Sequence, residues 1–178
     1  MVCMIMRASI RIATRDHYEF TKTVKRLSIC GAKNLRASSI DNYIYFEAED
    51  LDRVFTCLED FGKIFLTVDL KVYLRVSSDR LNELISSSNA KKMPMLYPYR
   101  IVAIVNNKDY HIAIQKTSNK NVYIARCIRA TNPDIILSPS IFLFSGTMDA
   151  VKGEVRKCIE LLNKVLSEHL RKPDKLYM

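Results

Sequence analysis

Glycine is scarce in this chain. There are four, Gly31, Gly62, Gly146 and Gly153, and no two are spaced for a dinucleotide fingerprint or a phosphate-cradling loop. Rossmann and P-loop enzymes are therefore excluded. No apolar run reaches the roughly 18 residues that a membrane-spanning helix needs, and the longest, near Leu137 to Phe144, is strand-sized. Met1 to Met6 is apolar but has no basic residue ahead of it, and Arg7 arrives too soon for a signal-peptide core. The expectation is a cytoplasmic protein with no membrane partner. There is also no Cys-x-x-Cys pair. The five cysteines, Cys3, Cys30, Cys57, Cys127 and Cys158, lie far apart with no histidine at ligand spacing, so no metal is expected. Each reads as a small hydrophobe in a reducing compartment. A single glutamine, Gln115, among many charged residues leans towards an archaeal or other thermophilic source, whereas ten asparagines lean the other way.

What is present is enough for a core. Of 178 residues, 48% are apolar and 26% charged, which excludes a disordered chain. The net charge of +9 is unevenly placed: residues 1–40 carry +6, residues 41–89 carry −5 and residues 90–178 carry +8. A basic excess of this size suits phosphate contacts or steering towards an acidic partner. The acid block of Asp41, Glu47, Glu49, Asp50, Asp52, Glu59 and Asp60 would repel a nucleic-acid backbone.

Periodicity sets the expected elements. Ala8 to Ala13 alternates with Ile10 and Ile12 on one face, the mark of a half-buried strand. Asp16, three residues before Glu19, opens a helix through Phe20, Val24 and Leu27, and Gly31 stops it. Leu35 to Ile40 and Tyr43 to Ala48 make a hairpin about Asp41-Asn42. Asp50 caps a helix with a stripe of Leu51, Val54, Phe55, Leu58 and Phe61, which Gly62 ends, and Ile64 to Val76 alternates as a long strand. That β-α-β-β-α-β order predicts a ferredoxin-like sandwich of two helices on a four-stranded sheet. Ser78 or Asp79 caps a short helix through Leu81, Leu84 and Ile85. The polar run to Lys92, followed by Pro94 and Pro98, marks a boundary between domains 1–92 and 93–178.

In the second half, Arg100 to Val105, Tyr110 to Lys116, Val122 to Arg129 and Ser140 to Phe144 read as strands, with Pro133 and Pro139 bracketing a loop. Thr147 caps a long helix whose stripe runs from Met148 through Val151, Val155, Cys158 and Leu162 to Leu170. The fold class expected is α+β, with a four-stranded antiparallel sheet under one C-terminal helix following the ferredoxin-like domain.

Chemistry-bearing groups are sparse. His17, His111 and His169 are scattered singly, and Glu47 and Glu49, two apart on a strand, belong with the solvated acid block although they could form a like-charge pair. Phe144-Ser145-Gly146-Thr147 leads into a helix N-terminus that could hold an anion, though an ordinary helix entry needs the same residues. No catalytic residue and no cofactor is expected. The strongest constellation is basic and aromatic: Arg100, Lys108, Tyr110, Lys116, Lys120, Tyr123, Arg126 and Arg129 on or between strands of the second half. Sheets of this composition pair phosphates and stack bases. The RNA-recognition consensus is absent, and Arg126 alternates out of phase with Tyr123, which divides these groups between two faces. The reading is a non-catalytic nucleic-acid-binding protein that uses a basic surface on the second half, helped by the N-terminal strand and helix, with RNA favoured over DNA. The alternatives are a subunit or homodimer in a protein assembly, and an enzyme of unrecognised type.

The stretch Tyr45-Phe46-Glu47-Ala48-Glu49-Asp50-Leu51-Asp52-Arg53-Val54 resembles part of the small dimerising subunit of the KEOPS tRNA-modification complex, in which a strand of this kind feeds a long helix. The resemblance covers under a third of the chain and implies a non-catalytic subunit. Gly62 and the β-branched run after it depart from that family's continuous final helix, so no residue role carries over.

Overall fold

The computed structural model describes residues 3–61, 64–87, 89–129 and 139–169. Gly62, Pro133 and Leu170, expected to stop a helix, open a loop and close a stripe, lie outside the described residues. In chain order the elements are β1 (Cys3–Ala13), α1 (His17–Leu27), β2 (Lys33–Ser38), β3 (Tyr43–Ala48), α2 (Leu51–Cys57), β4 (Phe65–Arg75) and α3 (Ser78–Ser87). They continue with β5 (Ala90–Lys92), β6 (Ile101–Val105), β7 (Tyr110–Lys116), β8 (Val122–Arg129), β9 (Leu143–Thr147) and α4 (Met148–His169). Among the described residues no helix is long and apolar enough to cross a membrane.

The strands form a nine-stranded antiparallel sheet in the order β2-β3-β1-β4-β8-β7-β6-β5, with β9 also on β4. This overturns the expected ferredoxin-like sandwich followed by a separate four-stranded sheet. The cause lies in β4. Its eleven residues bury every second side chain, and its ladder does not stop with the first half of the chain. Phe65 to Asp69 pair with β9 and Val72 to Arg75 pair with β8. A long alternating strand left with a bare edge would be a template for aggregation, and these two ladders cover it. The fourth strand expected beside β6 to β8 is thus displaced: β9 joins β4, and β5, from a segment read as polar and irregular, pairs with β6 instead.

The chain divides into two compact units, one of residues 7–70 and 143–156, the other of residues 1–6, 71–142 and 157–178. In the first unit Ile10 and Ile12 of β1, Ile44 and Phe46 of β3, and Leu66 and Val68 of β4 are all buried. Phe20 and Leu27 of α1, Leu51, Val54 and Phe55 of α2, and Val151 and Val155 of α4 are buried with them. Burying one such side chain is worth about 1.5–3 kcal/mol, so these stripes hold the helices where isolated helix propensity would not. The caps are those the sequence signals. Asp16 accepts from the Glu19 amide at 2.8 Å and Asp50 from the Arg53 amide at 3.1 Å. Gly31 takes φ +78°, and a Cβ there would stand 3.2 Å from the Arg53 guanidinium.

The second unit holds β5 to β8, α3 and the end of α4. The cap of α3 is Ser77, whose hydroxyl accepts from the Arg80 amide at 3.2 Å, one residue ahead of the expected position. One side of its sheet carries a cluster of Ile101, Ile104, Ala113, Ile128 and Phe142, with Met93, Tyr97 and Tyr99 packed against it.

The cysteines differ from expectation. Cys30 and Cys57 are joined in a disulfide, as are Cys127 and Cys158. Each pair has Cα atoms 6.0 or 6.2 Å apart, inside the range a disulfide spans. Spacing along the chain hid these pairs, because each joins residues that only the packing of separate elements brings together.

Candidate nucleic-acid interface

The register of β7 against β8 sorts the expected basic and aromatic residues. Tyr110 stands opposite Arg129, Lys116 opposite Tyr123, and Ala113 opposite Arg126. Residues directly opposite share a face and successive residues alternate, so Arg126 points to one side and the other two pairs to the opposite side. Between those two pairs lie Ile112, Ile114, Ala125 and Cys127, all buried, with Cys127 bonded to Cys158 of α4. On the other side the Arg126 guanidinium lies 4.0 Å over the Phe142 ring, and Tyr99 meets that ring edge-on at 5.7 Å. The centre of neither face is open.

Lys108 sits in the turn between β6 and β7, and Lys120 in the turn between β7 and β8, at opposite ends of β7. Arg100 follows the Pro98 turn with φ +57° and donates from Nη2 to the Thr117 carbonyl at 3.5 Å. The structure therefore gathers Arg100, Lys116, Lys120 and Tyr123 at one end of the hairpin. It leaves Lys108, Tyr110 and Arg129 at the other, and Tyr110 is only 7% exposed. His111, on the same side as Arg126, accepts at Nδ1 from the Asn107 amide at 3.3 Å, and burial pushes its pKa below 6.5.

A more continuous arrangement lies in the first unit. The outward side chains of β1 and β3 are Ser9, Arg11, Tyr43, Tyr45 and Glu47, because the intervening residues point to the helices. In register, Arg11 of β1 stands opposite Tyr45 of β3, and Tyr45 stands opposite Arg36 of β2. The result is a row of guanidinium, phenol and guanidinium across three adjacent strands about 4.8 Å apart. Tyr45 is 47% exposed. Arg11 also lies 4.9 Å over the Tyr43 ring. Arg36 is exposed and makes no ion pair among the described residues.

The neighbouring row holds Ser9, Glu47 and Lys33. A bulge between Lys33 and Arg36, with Asn34 at φ +54°, turns Asn34 so that its Nδ2 donates to Glu47 Oε2 at 2.9 Å. Lys33 instead pairs with Glu49 at 3.2 Å. Glu47 and Glu49, which share a strand face in the sequence, are thus held by different partners. On β4 and β9 the hydroxyls of Thr67 and Ser145 lie 3.3 Å apart. Strands β1 to β4 and β9 line an open cavity of about 690 Å³ that takes in Ser9, Arg11, Arg36, Tyr45 and Thr67 together with two acids, Glu47 and Asp69.

Sequence reasoning drew the N-terminal strand that carries Arg11 into the basic surface but singled out none of Arg11, Arg36, Tyr45 and Asn34. The alternation that puts Arg11 opposite to Ile10 and Ile12 in β1, and Tyr45 opposite to Ile44 and Phe46 in β3, is legible. Their meeting in one row depends on the register of β1 against β3, which a helix and another strand separate in the chain. The chain matches no protein-family model, no curated protein and no solved structure.

Proposed function

We propose that this protein is a non-catalytic nucleic-acid-binding protein that takes a single strand, RNA ahead of DNA, on the open face formed by β2, β3 and β1. The row Arg11, Tyr45, Arg36 carries the reading. An exposed tyrosine offers a stacking platform to any base, and a guanidinium on either side meets the phosphates that flank it. Ser9, Thr67 and Ser145 add hydroxyls within the same face, suited to a ribose 2′-OH.

Photo-crosslinking of an oligouridylate carrying 4-thiouridine, with the adducts mapped by mass spectrometry, tests the placement. Adducts at Tyr45 and its neighbours in β1 and β2 are expected. Adducts confined to β7 and β8 would move the interface to the second unit and contradict the reading.

A second reading, a subunit of a protein assembly, draws on Met95 and Leu96, which are 98% and 94% exposed. They follow Met93 and precede Tyr97 and Tyr99, all three packed on the core, and Tyr99 and Arg100 both hold positive φ. Sedimentation of wild type against Met95→Ser/Leu96→Ser distinguishes self-association through this loop from a monomer.

A further inference from the structure

Glu47 and Asp69 are the two acids among the residues lining the open cavity, and Glu47, which shares the outward side of β3 with Tyr45, calls for a ligand that donates. It follows Tyr45 by two residues on the same side of β3, about 7 Å along the strand. The edge of a base stacked on Tyr45 falls within its reach. The bond from Asn34 Nδ2 to Oε2, at 2.9 Å, fixes the carboxylate, and both of its oxygens keep lone pairs. Asn34 is brought there by the β2 bulge and a left-handed backbone, which asparagine adopts more readily than most non-glycine residues.

An ionised carboxylate accepts only. Guanine alone among the four bases presents two adjacent donors, N1–H and the N2 amine, on its Watson–Crick edge. Adenine and cytosine place a ring-nitrogen lone pair beside their single amine, which would face the carboxylate unfavourably. Uracil sets one N–H between two carbonyls. We infer that the open face selects guanine: the base stacks on Tyr45, N1–H and N2–H donate to the Glu47 oxygens, and the flanking phosphates meet Arg11 and Arg36. This rests on the reading of that face as a nucleic-acid interface. It also gives the acid a role there, since it repels the wrong bases as well as holding the right one.

The test uses the full chain and four RNAs: a uridine nonamer and its variants with one central guanosine, inosine or adenosine. The guanosine nonamer is expected to bind about ten-fold more tightly than the adenosine one, the scale of a bidentate base contact. Inosine, which lacks the N2 amine, falls between them. Glu47→Gln brings the guanosine-to-adenosine ratio close to one, whatever removal of a negative charge does to both affinities. Asn34→Ala, which leaves the charge in place and frees the carboxylate, lowers the same ratio. Equal affinity for all four RNAs, or a Glu47→Gln protein that keeps the ratio, overturns the guanine assignment while leaving the interface. Binding of none of the nonamers overturns the interface and the assignment with it.

Discussion

Arg11 stands directly opposite Tyr45 in the β1–β3 ladder, with its guanidinium 4.9 Å over the ring of the neighbouring Tyr43. The cation is thereby held flat along the sheet beside an exposed phenol rather than extended into solvent. Arg36 completes the row from the other side. A strand of nucleic acid crossing this row would meet a preset alternation of charge and ring, at little cost in side-chain ordering.

The phenol ring, more than its hydroxyl, is what a base requires. Tyr45→Phe should bind an oligouridylate nearly as well as wild type, whereas Tyr45→Ala should lose about 1–3 kcal/mol of binding free energy. Fluorescence anisotropy of a labelled oligonucleotide measures both, and neither change at this exposed position should shift thermal unfolding appreciably.

Phe142 is buried, meeting Tyr99 edge-on and lying under the Arg126 guanidinium. Phe142→Ala should cost about 3–5 kcal/mol in urea unfolding, because the Ile101, Ile104 and Ile128 cluster would be left lining a cavity. A loss below about 1 kcal/mol would show that the cluster collapses into the space.

His111 ties stability to pH. Burial lowers its folded pKa beneath 6.5, so between the two values the unfolded chain binds more protons than the folded one and stability rises with pH. The favourable state, with His111 neutral, is fully present above pH 6.5 and is lost as pH falls through the folded pKa. Urea unfolding at pH 7.5 and pH 5 should show a smaller difference for His111→Gln than for wild type; equal differences would assign the pH dependence elsewhere.

The two disulfides close segments of 27 and 31 residues. On chain-entropy grounds each should stabilise the fold by about 3–4 kcal/mol, and Cys30→Ser/Cys57→Ser and Cys127→Ser/Cys158→Ser should each lower the urea midpoint by a comparable amount. Unfolding of wild type with and without a dithiol reductant checks the sum. If the two curves coincide, the bridges contribute nothing measurable.

Local signals in the sequence predicted local structure well. Asp16 and Asp50 cap the helices their spacing announces, and the stripe Leu51, Val54, Phe55, Leu58 is buried as its period requires. The sheet was less legible, because strand pairing is non-local. Nothing in the Leu143 to Thr147 segment says that it will pair with Phe65 to Asp69 rather than with β8, and nothing in the alternation of β4 says that it serves two partners. The division of the basic and aromatic residues of the second half was legible, because it is local: alternation sets Arg126 against Tyr123, and the seven-residue strand β7 carries Lys108 and Lys120 to opposite ends. The row on the open face went unseen because Arg11, Arg36 and Tyr45 come from three strands whose register only the folded sheet sets.

The most direct test is the salt dependence of oligouridylate binding by wild type and by Arg11→Ala/Arg36→Ala. For a single strand the log-log slope changes by about 0.7 for each phosphate contact, so the double variant should bind more weakly with a slope shallower by about 1.4. An unchanged slope and affinity in that variant, or no salt-dependent binding by wild type, would contradict the account.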